Sequence, residues 1–144
     1  MKQIYLNGKF QNQSITGVQR VAIELQKSLE KYKCVQVIKN PYKGLIGHLH
    51  EQLIMPFKIR DKVILISPTN TGPIWLKNQI VIIHDVASFE HPEWFSKGFV
   101  AFYRLITPIL AKRVNAIVTV SNYSKSRIVE LFKIDEKKVH VIPN

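Results

Sequence analysis

Ile80-Val81-Ile82-Ile83-His84-Asp85 runs four β-branched apolar residues straight into two ionisable ones. So short and uninterrupted an apolar run predicts a strand covered by helices on both faces. Ending it in His-Asp costs desolvation unless both groups are paired or used. Similar runs lie on either side. Gln3–Leu6, Val35–Ile38, Val63–Ile66, Ala116–Val120 and Val139–Ile142 complete a set of candidate strands, and helical patterns alternate with them. That alternation predicts an α/β fold, a Rossmann-like parallel sheet with helices on both faces.

The helices have identifiable starts and stops. Thr16 and Gln19 stand at capping-box spacing, and Val18, Val21, Ala22, Leu25 and Leu29 follow as one apolar stripe. A second helix is expected from about Leu45 to Ile54, ending near Met55-Pro56 because proline restricts the residue before it. A third covers roughly Ser96 to Arg113, with Pro108 inside it as a kink or a break. Ser121 or Asn122 caps the last, and Pro68-Thr69-Asn70-Thr71-Gly72-Pro73 marks a loop.

Composition narrows the function classes. Hydrophobic residues at 46% and charged residues at 22% of 144 are the balance of a globular domain with its own core. The 21 Lys and Arg exceed the 10 Asp and Glu by 11, a field that attracts phosphorylated substrates, anionic lipid or nucleic acid. No nucleic-acid motif accompanies it, and no specific nucleic-acid partner is expected. Cys34 is the single cysteine, so no disulfide forms within the chain. The amino terminus turns polar at Asn7-Gly8-Lys9, too early for a signal peptide, and no run approaches the ~20 apolar residues of a membrane span.

Ligands of open α/β sheets bind beyond the carboxyl ends of the strands, where three stretches qualify. In the loop from Asn7 to Gly17, Gly17 lets a ligand approach the backbone at a helix start, or merely eases a turn. At Ile83-His84-Asp85, His84 serves proton transfer or a sugar hydroxyl, or Asp85 simply caps the following turn. At Val120-Ser121-Asn122, Ser121 caps a helix and can face the same cleft. The three aspartates, Asp61, Asp85 and Asp135, form no D-x-D pair, and no metal site is expected. Trp94 to Arg113 mixes aromatic and basic residues and suits either an interfacial helix on anionic lipid or a core helix with snorkelling basics.

Taken in order, Ile15-Thr16-Gly17-Val18-Gln19-Arg20, His50-Glu51-Gln52 with Pro56, Ile83-His84-Asp85, His91-Pro92-Glu93-Trp94-Phe95, Val118-Thr119-Val120-Ser121 and Val141-Ile142-Pro143-Asn144 resemble one family. It is the N-terminal half of family 4 (group 1) glycosyltransferases of the GT-B fold. The resemblance implies that residues 1–144 form an acceptor-side Rossmann-like domain ending at the crossover to a C-terminal donor-binding domain. It implies a retaining, metal-independent hexosyl transfer with no cofactor, from a nucleotide-sugar to a lipid-linked or polysaccharide acceptor in bacterial envelope glycan synthesis. The setting would be the cytoplasm, peripheral to the inner face of the cytoplasmic membrane. Carried over by position, His84 and Asp85 fall at the reaction centre, Gly17 near the donor diphosphate, and Thr16, Arg20 and Ser121 in substrate binding. The basic pair and E-x7-E element of the family's second domain are absent from these 144 residues. This 144-residue chain alone is therefore expected to be inactive. The alternative is a non-catalytic glycan- or membrane-binding module, a degenerate or split transferase.

Overall fold

A computed structural model describes residues 2–59 and 63–144. Strands β1 (Ile4–Asn7), β2 (Val35–Ile38), β3 (Ile64–Ser67), β4 (Gln79–Ile82), β5 (Ala116–Thr119) and β6 (Val139–Val141) form one sheet, with every neighbouring pair parallel. Their order is β2-β1-β3-β4-β5-β6. The six strands fall where the apolar runs predict, within one residue at either end. The chain leaves β1 for β2, then returns past β1 to β3, so the topological switch point lies between β1 and β3.

Around the sheet lie α1 (Gly17–Leu29), α2 (Gly44–Leu53), α3 (Met55–Lys58), α4 (Ala87–Glu90), α5 (Lys97–Arg113) and α6 (Asn122–Phe132). The expected capping arrangement starts α1: Gln19 Oε1 accepts from the Thr16 amide at 3.2 Å and from the Thr16 hydroxyl. Ser121 caps α6, its Oγ accepting from the Ser124 amide at 3.0 Å. α2 ends before Pro56 and α5 runs past Pro108 to Arg113, as expected, and the prolines take distinct places. Pro56 sits in the first turn of α3, where its missing N–H has no helical partner to lose. Pro108 lies inside α5, yet the helix continues through it to Arg113, because proline removes only one bond of a long ladder.

The core follows from the pleat. Val81, Ile117 and Val139 stand in register on β4, β5 and β6 and pack with Leu110 of α5 and with Ile128 and Phe132 of α6. On the opposite face, α1 packs Ala22 against Leu6 and Ile66. It leaves β4 and β5 uncovered there, and Ile80, Ile82 and Val118 bound an apolar groove of about 590 Å³ beside Val21 and Leu25. α5 is a core helix as well, since Ile106, Leu110 and Ala111 are buried. Among the described residues no helix is long and apolar enough to cross a membrane.

A candidate sugar cleft at the strand ends

The loops after β1, β3 and β4 meet α5 around a cavity of about 350 Å³. Its wall gathers side chains distant in sequence: Thr16 and Gln19 at the start of α1, Asn70 after β3, Asp85 after β4, and Tyr103 on α5. Both sides of Gly17 face it, through Thr16 and Val18. A Cβ built on Gly17 meets nothing within 4 Å, and its backbone is not in the left-handed region. Neither a positive φ nor packing requires glycine there. The helix start behind it presents amides and the positive end of a dipole.

Asp85 does two things. Its Oδ1 accepts from the Ala87 amide at 2.9 Å, the local cap expected of an Asp in a turn. Because it is exposed and on the cavity wall, its second carboxylate oxygen remains open to a hydroxyl. His84 is buried directly behind. Its amide donates to Asn70 Oδ1 at 2.7 Å and its Nε2 lies 2.9 Å from the Pro68 carbonyl. A carbonyl only accepts, so Nε2 carries a proton and donates it to Pro68. Asn70 is held in the left-handed region at φ 63°, a conformation asparagine tolerates better than most residues.

Ser121 reaches the site indirectly. Its hydroxyl meets Ser124 Oγ at 3.1 Å, and the Ser124 hydroxyl donates to the His84 carbonyl at 3.2 Å. Arg20 does not line the cavity; it lies along the apolar groove on the uncovered sheet face. The geometry therefore unites Thr16, Gly17, His84, Asp85 and, at one remove, Ser121, and sets Arg20 apart.

Several groups at the site escape sequence reasoning. Phe95, Phe99 and Tyr103 stack along α5, with ring centroids 5.1 Å and 4.2 Å apart, and all three line the cavity. Such rings offer flat apolar faces to the C–H surface of a sugar. Burial raises the pKa of Tyr103 well above its usual value, and the carboxylates of Glu51 and Asp85 raise it further, so its hydroxyl stays a neutral donor. Behind it, at the switch point, is a buried polar cluster. Lys9 Nζ donates to His48 Nδ1 at 2.6 Å and to Thr71 Oγ1 at 3.0 Å, and lies 3.5 Å from Glu51 Oε1. Asn7 Nδ2 donates to Glu51 Oε2 at 2.8 Å. Burial lowers the Lys9 pKa against the opposing pull of Glu51. Removing one partner of such a pair strands the other charge, at a cost of about 3–5 kcal/mol. Gly17, His84-Asp85 and Ser121 were visible in the sequence as loop or cap residues between strands and helices, and Glu51 only within the His50-Glu51-Gln52 stretch of the resemblance; the pairing of Lys9 with Glu51 carries no local signal.

The model of the family described as Glycosyltransferase Family 4 matches residues 74–144, the stretch that holds β4, the His-Asp strand end, α5 and β5. The O-antigen chain mannosyltransferase RfbU of Salmonella typhimurium is 29% identical over 87 residues, 60% of this chain and 24% of that protein. The chain thus spans about a quarter of the length of the curated relative it matches.

Proposed function

We propose that the chain, whose residues 74–144 match the family 4 glycosyltransferase model, forms the acceptor-side half of a retaining transferase. The donor is a nucleotide-sugar and the acceptor a lipid-linked or polysaccharide glycan of a bacterial envelope, with a second domain supplying the facing wall of the cleft. The mannosyl transfer named for the Salmonella relative makes a hexose the first donor sugar to try. One observation carries the reading: a single cavity joins the open start of α1 to the Asp85 carboxylate and an aromatic wall.

In that cavity the backbone at Gly17 and the α1 dipole take the diphosphate. The second oxygen of Asp85 and the neutral Tyr103 hydroxyl hold sugar hydroxyls as acceptor and donor. His84, fixed by the Pro68 carbonyl, keeps the Asp85 turn in place. The acceptor hydroxyl bonds to the anomeric carbon as the bond to the diphosphate breaks, and the departing nucleoside diphosphate takes the electron pair and the proton. Turnover without a divalent cation belongs to the same reading.

The test is transfer by the complete gene product from a panel of nucleotide-sugars to membrane extract, with and without a chelator. Asp85→Asn keeps the oxygen that caps Ala87 but loses the charge, so melting temperature holds while turnover falls tenfold or more, the scale of a lost charged hydrogen bond of about 1.5–3 kcal/mol. Parental turnover by Asp85→Asn, or transfer abolished by the chelator, would remove the reading.

A further inference from the structure

α2 is built inside out. His50, Glu51 and Gln52 are buried, while Leu45, Ile46, Leu49 and Leu53 stand in solvent. Leu45, Leu49 and Leu53 repeat at four-residue spacing and form a ridge along the outer face. Ile54 and Phe57 extend it, and Phe57 is 90% exposed. A surface helix of a globular domain normally turns its apolar stripe inward. Here the Lys9–Glu51 cluster and the bond from Gln52 Nε2 to the Gly72 carbonyl, 2.8 Å, occupy the inner face, and the apolar stripe is displaced outward. A contiguous exposed ridge of this kind marks an interaction surface.

The charge around the ridge selects the partner. Lys39 and Lys43 precede α2 and Lys58 closes α3, all exposed. From Lys31 to Ile59 the only acidic residue is Glu51, and it is fully buried. Lys58 shares one shallow depression with Ile46, Leu49 and Leu53, so cation and apolar side chains stand side by side. An apolar ridge rimmed by lysines and, among the described residues from Lys31 to Ile59, free of exposed carboxylate complements a surface with an apolar interior and anionic headgroups.

We infer that α2 and α3 dock the protein on an anionic lipid bilayer, with the Leu45–Phe57 ridge in the headgroup–acyl boundary and Lys43 and Lys58 on lipid phosphates. The ridge lies one helix from the cleft. His48 on α2 packs against Phe102, ring centroids 4.2 Å apart, and its neighbour Tyr103 lines the cavity. Docking by this face holds the cleft beside the headgroup layer, where a lipid-linked acceptor would arrive. The inference deepens the proposed function in that respect, but its test reads vesicle binding and not turnover, so either can fail alone. The sequence directs attention to α5 for this role. In the structure the aromatic row lines the cleft, Ile106, Leu110 and Ala111 of α5 are core, and Leu105 and Ile109 are exposed; the longer apolar ridge, Leu45 to Phe57, is on α2 and α3.

Co-sedimentation of the full chain with vesicles of phosphatidylglycerol and phosphatidylethanolamine, against vesicles of phosphatidylcholine, tests it. Strong binding to the anionic vesicles that weakens with added salt is expected. Leu49→Gln with Phe57→Gln, and separately Lys43→Glu with Lys58→Glu, each lower binding at least tenfold with unchanged circular dichroism and melting. Lys112→Glu with Arg113→Glu, on α5, leaves it near the parental level. Binding that survives both α2–α3 pairs overturns the inference. So does a concentration-dependent dimer that the Leu49/Phe57 pair abolishes without any effect on vesicles, for then a second copy covers the ridge.

Discussion

Glycines 8 and 17 lie on the same strand-to-helix connection and serve opposite purposes. A Cβ on Gly8 would stand 2.7 Å from the Ile38 carbonyl oxygen and 2.8 Å from Val37 Cγ1, so β2 must move to admit it. A Cβ on Gly17 meets nothing. Gly8→Ala therefore destabilises the fold by about 1–3 kcal/mol, the usual cost of forcing an atom into a packed site. Gly17→Ala stays within about 0.5 kcal/mol of the parent, as surface substitutions do. If the α1 start holds the diphosphate, Gly17→Ala nonetheless weakens binding of a nucleoside diphosphate several-fold, because the methyl occupies the approach. Thermal melts and calorimetric titration of the two variants separate packing from ligand access. Equal binding by Gly17→Ala and the parent would return Gly17 to an ordinary loop residue.

At the scale of an element, α2 is where charge and packing meet. Burial, aided by the neighbouring Lys9, lowers the pKa of His48 to about 4, so at neutral pH its Nδ1 is free to accept from Lys9. The groups facing it are Lys9 and the rings of Phe102 and Tyr103, with Glu51 beyond Lys9. The folded pKa lies below the ordinary value near 6.5, so in that interval the unfolded chain binds the extra proton and stability rises with pH. The contribution is complete above pH 6.5 and is lost as the pH falls toward 4. His48→Gln keeps an acceptor for Lys9 without the titration, and its melting temperature should fall less than the parent's between pH 6.5 and 4.5. Parallel curves would show that His48 is not the group concerned. The same helix marks the boundary of what the sequence discloses. Strand ends and caps were legible because their signals are local: a β-branched run closed by His84-Asp85, a hydroxyl three residues before a glutamine. The orientation of α2 was not, for an apolar stripe at positions 45, 49 and 53 reads as an inward face until its competitor is known. That competitor is a polar cluster whose bonds join Asn7 to Glu51 and Lys9 to Thr71 across 44 and 62 positions. Tyr103 was hidden likewise, one aromatic among several on α5, and only the stacking on Phe99 turns it toward the cleft.

For the molecule as a whole, the cavity is a wall and not an enclosure. Its residues come from the loop after β1, the carboxyl ends of β3 and β4, α4, the start of α1 and one side of α5, and it opens in part to solvent. Transfer chemistry gains from closure twice: water is expelled, and every charge and dipole in the site acts through a medium of lower polarity. An open wall supplies neither, though it retains what recognition requires. On the proposed reading, the exposed start of α1 and the excess of 11 positive charges would draw a nucleoside diphosphate, and Asp85 and the aromatic row would receive sugar. Residues 1–144 alone should therefore bind a nucleoside diphosphate weakly and salt-sensitively, and release no sugar from any nucleotide-sugar. The same stretch within the complete gene product should turn over. Calorimetry at two salt concentrations reads the first part and chromatography of released nucleotide reads the second. Measurable transfer by the 144-residue chain would mean that one wall suffices and that no facing domain is needed.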